Sequence, residues 1–328
     1  MAVLRNYERY IQTSAWVLGG IDLFAAARTT KKEVPPILGE VNFFITRRLT
    51  PPVAVYDPPL EFISTTNPSG YFLFPGEVRK PDRAGTMMLG PGQYRWRVES
   101  DYYQTIDFTE VWPPPEVENK TLYDKAKDLR FVPGPSYPFP EFLLAQRDLA
   151  VTLVRGSLLT AGGSPIEGVE VELTAPELGP RYEGFLSCKT DRRGDWVISF
   201  VEKVRPEPMD ELPKLDESKI HVNLPAGGAY DIDLAITPST ENAVRQTALR
   251  GRVVKPGGIG LSNVKVTTSV AAGESRSKAD GQWFFYFELR QAGGAVTVTA
   301  LSPDGLTKNA QTQIEPRTTS VVPAIELS

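Results

Sequence analysis

Two residue types that could perform nucleophilic or zinc chemistry occur once each in this 328-residue sequence, as His221 and Cys188. Ser-His-Asp or Cys-His catalysis would have to run through His221, which lies in a segment patterned like a strand edge. A zinc site needs three or four His, Cys or carboxylate ligands that converge on one ion. One imidazole and one thiol cannot supply a site built mainly from those groups, and a single cysteine forms no disulfide within one chain. We therefore predict no catalytic residue, no metal and no cofactor, and both residues are interpreted as ordinary surface or core side chains.

Paired carboxylates are the remaining candidates for catalysis. Asp191 with Asp195, or Asp210 with Glu211, could be imagined as the acid and base of a glycoside hydrolase. Both pairs lie in turn or loop sequences, where acidic side chains are the usual solvated choice. The sequence therefore predicts that the protein is not an enzyme.

Two further groups could bind a ligand without catalysis. Asp231 and Asp233 have the spacing of a calcium loop, but they alternate with apolar residues and are interpreted as the solvated face of a strand. Tyr102, Tyr103 and Trp112 could form stacking platforms for a sugar. Because aromatic residues are also the usual filling of sandwich interiors, a glycan is the less favoured partner.

The charge balance restricts the partners further. The chain has 36 Lys and Arg against 40 Asp and Glu, a net charge of −4, whereas nucleic-acid binding requires clustered basic residues. No apolar run reaches the roughly 18 residues of a membrane span. Charges within Met1–Tyr10 interrupt the apolar run that a secretory signal needs. We therefore expect a protein that is cytoplasmic as synthesised, or part of a released particle, with protein partners and neither nucleic acid nor a membrane span.

Glycine and proline indicate the fold class, because 27 Gly and 29 Pro disfavour long helices. Three landmarks recur in alternating apolar segments, which are typical of half-buried strands. They are an opening glycine (Gly39, Gly156, Gly251), a turn glycine before an aromatic strand (Gly70, Gly194, Gly281), and a glycine-led closing strand (Gly90–Val98, Gly227–Leu234, Gly293–Ala300). The repeats predict three β-rich units in tandem.

The predicted architecture is all-β, with tandem immunoglobulin-like β-sandwiches joined by Pro-rich spacers. The predicted boundaries are 1–112 for an N-terminal arm plus sandwich one, 113–147 for a Pro-rich spacer, 148–242 for sandwich two with an insertion at 201–219, and 243–328 for sandwich three. A short helix is expected around Leu122–Leu129 within the spacer. The other helix candidate, Ala15–Ala27, is weakened by Gly19-Gly20.

The order of these landmarks resembles the carboxypeptidase regulatory-like domain family. The resemblance lies in an apolar-Gly-apolar opener, a Gly-Val-x-Val strand, an Asp-Gly-x-aromatic turn and a Gly-Gly-x-Tyr-x-Ile-x-Leu closing strand. It is clearest over Leu249–Ala300, fair over Val154–Leu234 and suggestive over Gly39–Val98, where the turn is Ser69-Gly70. The resemblance implies seven-stranded, transthyretin-like sandwiches that serve as spacers, adhesive modules or accessory domains and carry no catalytic residues.

The aromatic strands have large side chains on both faces, which predicts both a core and a covered outer surface. The predicted core residues are Phe72, Trp96, Trp196 and Trp283. The candidate interface residues are Tyr71, Leu73, Phe284 and Tyr286, together with Tyr7 and Tyr10 in the N-terminal arm. A loop, a neighbouring sandwich or another protein could cover the outer aromatic face, and the sequence leaves these alternatives open.

The leading functional hypothesis is a structural or adaptor subunit that docks onto other proteins of a large assembly. Its architecture and expected compartment suit a phage-tail-like or contractile injection particle. The alternative is an adhesive or carbohydrate-binding module.

Overall fold

The computed structural model describes residues 16–23, 37–66, 71–80, 85–114, 127–139, 151–178, 182–202, 215–225 and 228–328. The chain divides into two compact units, Met1–Pro138 and Phe139–Ser328. The first unit contains sandwich one, and the second contains sandwiches two and three. The predicted all-β fold of tandem sandwiches is confirmed.

Sandwich one pairs a four-stranded sheet, in the order β10-β1-β5-β4, with a six-stranded sheet, in the order β7-β6-β3-β2-β8-β9. Its strands are β1 (Trp16–Asp22), β2 (Val41–Arg48), β3 (Ala54–Phe62), β4 (Thr65–Thr66), β5 (Tyr71–Phe74), β6 (Glu77–Arg79), β7 (Thr86–Met88), β8 (Gly92–Ser100), β9 (Ile106–Trp112) and β10 (Lys127–Phe131).

Sandwich two has two four-stranded sheets, ordered β13-β15-β11-β18 and β14-β12-β16-β17. Its elements are β11 (Val151–Ser157), β12 (Glu170–Thr174), a short 3-10 helix (Pro176–Leu178), β13 (Tyr182–Phe185), β14 (Ser187–Lys189), β15 (Asp195–Glu202), β16 (Leu215–Asn223), β17 (Ala229–Ile236) and β18 (Glu241–Val244).

Sandwich three has one sheet ordered β22-β19-β25, with β26 also pairing with β19, and a second ordered β21-β20-β23-β24. Its strands are β19 (Ala248–Val254), β20 (Lys265–Thr268), β21 (Ser275–Arg276), β22 (Gln282–Tyr286), β23 (Gly294–Leu301), β24 (Thr307–Ile314), β25 (Thr319–Val321) and β26 (Ile325–Glu326).

The three sandwiches share one strand arrangement. In each, the first strand pairs antiparallel with the aromatic strand, as β1 does with β5, β11 with β15 and β19 with β22. On its other side it pairs parallel with a late strand, β10, β18 or β25. The second strand pairs with the hairpin β8-β9, β16-β17 or β23-β24. The repeat is therefore defined by its topology, including a parallel pair between segments far apart in sequence.

The first strand of sandwich one lies where the sequence predicted a weak helix. Trp16–Asp22 forms β1, with Trp16 and Leu18 buried, so the opener of this sandwich is β1 and not the Gly39 segment. A Cβ on Gly20 would lie 2.9 Å from the Phe72 ring. The glycine pair that disfavours a helix thus permits close packing against the aromatic strand.

The predicted Pro-rich spacer is also corrected. Lys127–Phe131 forms β10 and pairs parallel with β1, so the helix expected over 122–129 is wrong for 127–129, and 122–126 lie outside the described residues. Leu129 and Phe131 are buried at strand spacing, which explains the extended conformation. Pro133 then forms a bridge with Tyr103, so this stretch belongs to sandwich one.

Two boundaries in sandwich two differ from the prediction. Val201 and Glu202 belong to β15 and Leu215–Lys219 belong to β16, while 203–214 lie outside the described residues. The predicted closing strands are not equivalent, because β23 of sandwich three occupies the sheet position of β16 and not that of β17. The two Gly-Gly pairs misled the alignment, since one follows β16 and the other leads into β23.

The cores contain the predicted large aromatic residues of β5, β8, β15 and β22. Phe72, Trp96, Trp196 and Trp283 are all buried. Opposite Trp196 and Trp283 in the sheet lie Gly156 and Gly251, where a Cβ would come within 2.8 and 2.5 Å of the respective indole rings. Each opening glycine therefore makes room for a tryptophan.

Candidate functional site

The two residues considered for nucleophilic chemistry face opposite sides of the same sheet. Cys188 is buried in the core of sandwich two, and burial raises the pKa of its thiol to about 12. His221 lies on the outer face, where its Nδ1 is 2.7 Å from Asp231 Oδ1. Lys219 Nζ and Asp233 Oδ1 lie 4.0 Å apart on that face. The described residues contain no cluster of three His, Cys, Asp or Glu side chains that could hold a metal ion.

The acidic pair Asp191 and Asp195 organises a turn. Asp191 Oδ1 accepts hydrogen bonds from the N–H groups of Arg193 at 2.8 Å and Asp195 at 2.9 Å. Burial, and then the charge of Asp191, raise the pKa of Asp195, which Arg193 opposes. Satisfying main-chain donors in a tight turn is the usual structural role of such an aspartate. Asp210 and Glu211 lie outside the described residues.

The aromatic residues considered for sugar stacking are mostly internal. Tyr103 and Trp112 are each 4% exposed. The Tyr103 hydroxyl donates to Asp22 Oδ2 at 2.8 Å, and Trp112 Nε1 donates to Leu89 C=O at 3.1 Å. Burial is also the main cause that raises the pKa of Tyr103. The less favoured alternative of a stacking platform is therefore excluded for these two residues, and of the three only Tyr102 is half-buried.

The predicted interface residues of β5 and β22 lie on outer sheet faces. Tyr71 and Leu73 are half-buried, and the Tyr71 ring lies beside Gly19. Phe284 is half-buried, with Lys278 Nζ 5.8 Å from its ring centroid. Tyr7 and Tyr10 lie outside the described residues.

Tyr286 is covered by sandwich two. Its N–H donates to Ala161 C=O at 3.1 Å, and a Cβ on Gly163 would lie 3.3 Å from its ring. Both contacts come from Thr160–Ser164, here named the docking turn. Of the covers that the sequence left open for this candidate interface residue, the structure shows a neighbouring sandwich of the same chain.

Gln246 joins the two sandwiches at this junction. Its Oε1 accepts from Leu159 N–H at 2.8 Å, and its Nε2 donates to Leu159 C=O at 3.0 Å and to Phe287 C=O at 2.9 Å. Leu289 of sandwich three is buried in the core of sandwich two, and Ala161 of the docking turn packs against the core of sandwich three. Sandwiches two and three are therefore joined both by hydrogen bonds and by exchanged apolar contacts.

A cleft of about 560 Å³ lies beside the junction, and its lining includes Tyr230, Gln246, Tyr286 and Arg290. Arg290 lies 4.9 Å from the Tyr230 ring centroid, and its Nε is 2.7 Å from Glu288 Oε2. Burial raises the pKa of Tyr230 to about 12. Arg290 of sandwich three thus contacts both Glu288 and the ring of Tyr230 in sandwich two, and the ring contact supports packing between the two sandwiches.

Comparisons with known proteins add only a general likeness. No family model matches the sequence, and no curated protein sequence matches it. A streptococcal ancillary pilin is 11% identical over 94% of this chain and 98% of its own, with a TM-score of 0.20. The Bacillus anthracis TIE protein is 10% identical over 95% of this chain, which spans 50% of that protein, with a TM-score of 0.20. A shaft pilin from Lactobacillus rhamnosus GG is 13% identical over 95% of this chain and 97% of its own, with a TM-score of 0.21.

TM-scores of this size do not define a function for the chain. Its described fold is that of a tandem β-sandwich protein whose second and third sandwiches share a built junction. Nowhere in the described part of the chain does a helix reach the length and apolar character needed to cross a membrane.

Proposed function

We propose that this chain is a non-catalytic structural subunit that carries tension between other proteins of a larger assembly. One observation supports the proposal above all: in every sandwich the first strand lies beside a late strand and runs parallel to it. The chain therefore enters each sandwich at one end and leaves it at the opposite end. A module with this connectivity transmits a pull along its strands.

Parallel end strands resist such a pull because their hydrogen bonds are loaded in shear. The paired registers hold five residue pairs between β1 and β10, four between β11 and β18, and three between β19 and β25. Bonds loaded in shear must break together, whereas a peeled hairpin loses them one at a time. Forced unfolding is governed by the unfolding barrier, and this geometry raises that barrier.

The exits of sandwiches two and three are fastened as well. In sandwich three, β26 pairs with β19, and Leu327 N–H donates to Val254 C=O at 2.9 Å. In sandwich two, the Gln246 amide pairs with Leu159. A force applied where the chain leaves sandwich two or three must therefore also break these additional hydrogen bonds to the segment that begins the sandwich.

Single-molecule force spectroscopy on the full chain tests the proposal. Handles at the two chain ends load the end strands in shear, and we expect sandwich three to unfold at a higher force than in a peeling geometry. The matched control carries Thr297→Cys and Gln311→Cys, which place handles on facing residues of the β23-β24 hairpin. Equal unfolding forces in the two geometries would contradict the tension-bearing role.

Placement in a phage-tail-like or contractile injection particle stays a prediction, as does the resemblance to carboxypeptidase regulatory-like domains. The carbohydrate-binding form of the adhesive alternative loses two of its three candidate residues, because Tyr103 and Trp112 are buried. Retention of the folded chain on a glycan array, abolished by Tyr102→Ala, would favour that alternative instead.

A further inference from the structure

Sandwiches two and three repeat one another in their main-chain hydrogen bonds. Ile166 N–H donates to Leu158 C=O at 3.0 Å, and in sandwich three Leu261 N–H donates to Val253 C=O at 2.9 Å. The isolated bridges also correspond, joining Leu159 to Pro165 and Val254 to Gly260.

The correspondence extends to the turns before the late parallel strands. Ser239 and Arg317 both have positive φ angles, 58° and 61°. Their N–H groups donate to Thr152 Oγ1 at 2.8 Å and to Thr247 Oγ1 at 2.9 Å, respectively. Residues can therefore be matched one to one between the openings of the two sandwiches.

The docking turn has a counterpart in sandwich three, Lys255–Ile259, here named the free turn. Thr160 N–H donates to Ser164 C=O at 2.8 Å in the docking turn, and Lys255 N–H donates to Ile259 C=O at the same distance in the free turn. Each turn is closed by a second bond, from Gly163 to Thr160 and from Gly258 to Lys255. The two turns are thus the same element in successive sandwiches.

The docking turn of sandwich two lies at the edge of β22 in sandwich three, the position that a strand occupies in sandwich two. In sandwich two, β13 pairs with the aromatic strand and sets Phe185 opposite Ser199. The residue of sandwich three that corresponds to Ser199 is Tyr286, whose N–H is bound by Ala161 C=O. The docking turn therefore completes the edge of sandwich three that β13 completes in sandwich two.

The free turn is exposed throughout. All five of its residues are exposed, and Ile259 retains 67% of its accessible surface. A Cβ added at Gly257 or Gly258 would meet no atom within 4 Å. The docking turn of sandwich two is thus packed against sandwich three, whereas the matching free turn of sandwich three faces open space.

Among the two glycine pairs of these turns, the backbone conformation differs at one. Gly257 has a φ of 91°, whereas the matching Gly162 lies outside the positive-φ region. Because glycine adopts both regions without a Cβ clash, this difference at Gly257 carries no steric cost of its own.

We infer that the free turn is a docking element for a further β-sandwich of the same type as sandwich three, whose edge strand offers an outward N–H as Tyr286 does. The inference rests on the proposed function, because it names the class of partner that would extend the assembly. The occupant is identified by the seated copy of the same turn, in which Ala161 C=O accepts from Tyr286 N–H. Pro256 is the matching residue of the free turn, and its carbonyl would accept the equivalent bond.

An extended chain tests this inference. Residues 323–328 are replaced by a second copy of residues 245–328, so that a second sandwich three follows the first as the first follows sandwich two. Lys255→Arg in the added copy gives its own free turn a different peptide mass. Hydrogen exchange then compares residues 255–259 of the original sandwich three in the extended and original chains. We expect exchange in the free turn to slow by roughly tenfold or more, because its amides become enclosed. The hairpin turn Ser302–Leu306, which has no seated counterpart at the junction, should exchange equally in both chains.

Unchanged exchange in the free turn beside a folded added copy would overturn the inference. An added copy that stays unfolded would overturn it too, because the original sandwich three is folded against the equivalent turn. Slowed exchange that survives Tyr286→Pro in a folded added copy would indicate another contact and would likewise count against it. The force experiment uses only the 328-residue chain, so the proposed function and this inference can fail separately.

Discussion

The side-chain amide of Gln246 pairs with the main chain of Leu159 as a neighbouring strand would. It accepts from the Leu159 N–H at 2.8 Å and donates to the Leu159 C=O at 3.0 Å. In sandwich three the corresponding edge is filled by main chain, since Leu327 N–H bonds Val254 C=O. A side chain thus completes the sheet edge of sandwich two while the backbone continues into sandwich three.

Gln246→Ala should uncouple sandwiches two and three. The substitution removes three hydrogen bonds and leaves main-chain groups of Leu159 and Phe287 unpaired, so we expect a loss of roughly 1 to 3 kcal/mol in unfolding free energy. Urea denaturation measures the loss, and calorimetry should resolve two transitions in place of one for the C-terminal unit. Gln313→Ala, an exposed position on β24, is the matched control. A loss as large in the control would contradict the role of Gln246.

Trp196→Ala and Trp283→Ala should each destabilise their own sandwich by about 3 to 5 kcal/mol, because a large core side chain is removed. Neither indole N–H has a hydrogen-bond partner among the described residues. Trp196→Phe and Trp283→Phe therefore lose volume without losing a bond and should cost markedly less. Chemical denaturation followed by far-UV circular dichroism distinguishes the variants, because each substitution removes the only tryptophan of its sandwich. Alanine and phenylalanine variants of equal stability would show that packing does not dominate at these positions.

Gly251→Ala should destabilise sandwich three by roughly 1 to 3 kcal/mol through overpacking. The new Cβ would lie 2.5 Å from the Trp283 ring, so the ring or the strand must shift. Thermal unfolding measures the effect. Gly90→Ala is the control, because no atom lies within 4 Å of a Cβ there. An unchanged melting temperature for the Gly251 variant would refute the close approach.

Tyr137→Phe should weaken sandwich one. The hydroxyls of Tyr137 and Tyr103 both donate to Oδ2 of the buried Asp22 at 2.8 Å. Removing one donor from a buried carboxylate is expected to cost roughly 1 to 3 kcal/mol. Hydrogen exchange of the β1 amides measures the loss, with Tyr102→Phe as the half-buried control. Equal exchange in both variants would rule out this structural role for the Tyr137 hydroxyl.

Cys188 should resist thiol reagents in the native protein and react once the chain unfolds, because the thiolate is the reactive form. Burial raises the pKa of its thiol from 9.0 to about 12. A raised folded-state pKa gives stability that is full below pH 9 and is lost as the pH rises toward 12. The unfolding free energy should therefore fall with pH across that range.

Cys188→Ala isolates the contribution of the thiol. The pKa of Tyr230 is also raised, from 10.0 to about 12, and adds to the slope above pH 10 in both proteins. The variant should show a shallower loss of stability from pH 9 upward. Identical pH profiles, or rapid labelling of the native wild-type chain, would contradict the buried, protonated thiol.

Local patterns predicted the aromatic strands and the turns at Gly194 and Gly281, because a glycine followed two residues later by a tryptophan is a signal contained in one short segment. The turn predicted at Gly70 lies outside the described residues. The same reasoning could not find β1 or β10. Gly19-Gly20 weakened the apolar pattern of β1, and its parallel partner Lys127–Phe131 lies far along the chain, where no local residue marks the pairing. Strands that pair in parallel often lack a clear alternation of apolar and polar residues, so the sequence pattern gives little indication of such a pair.

The interactions at the junction were similarly hidden from the sequence. An isolated glutamine such as Gln246 looks like an ordinary polar linker residue, and only the folded arrangement sets its amide against Leu159. Strand alternation placed Tyr286 on the outer face of its sheet, so the sequence predicted that a loop, a neighbouring sandwich or another protein covers it. Only the folded structure identifies the neighbouring sandwich as the cover, because it shows that Ala161 C=O in the docking turn accepts a hydrogen bond from Tyr286 N–H.

The parallel pairing of first and late strands also sets the order of events during synthesis. The central strand of one sheet leaves the ribosome first, and its parallel neighbour leaves near the end of each sandwich, so that sheet stays incomplete during most of translation. High sequence separation of paired strands slows folding and prolongs the exposure of unpaired edges. A ribosome that stops before Thr319–Val321 would leave β19 without its parallel partner β25 and one edge of sandwich three open.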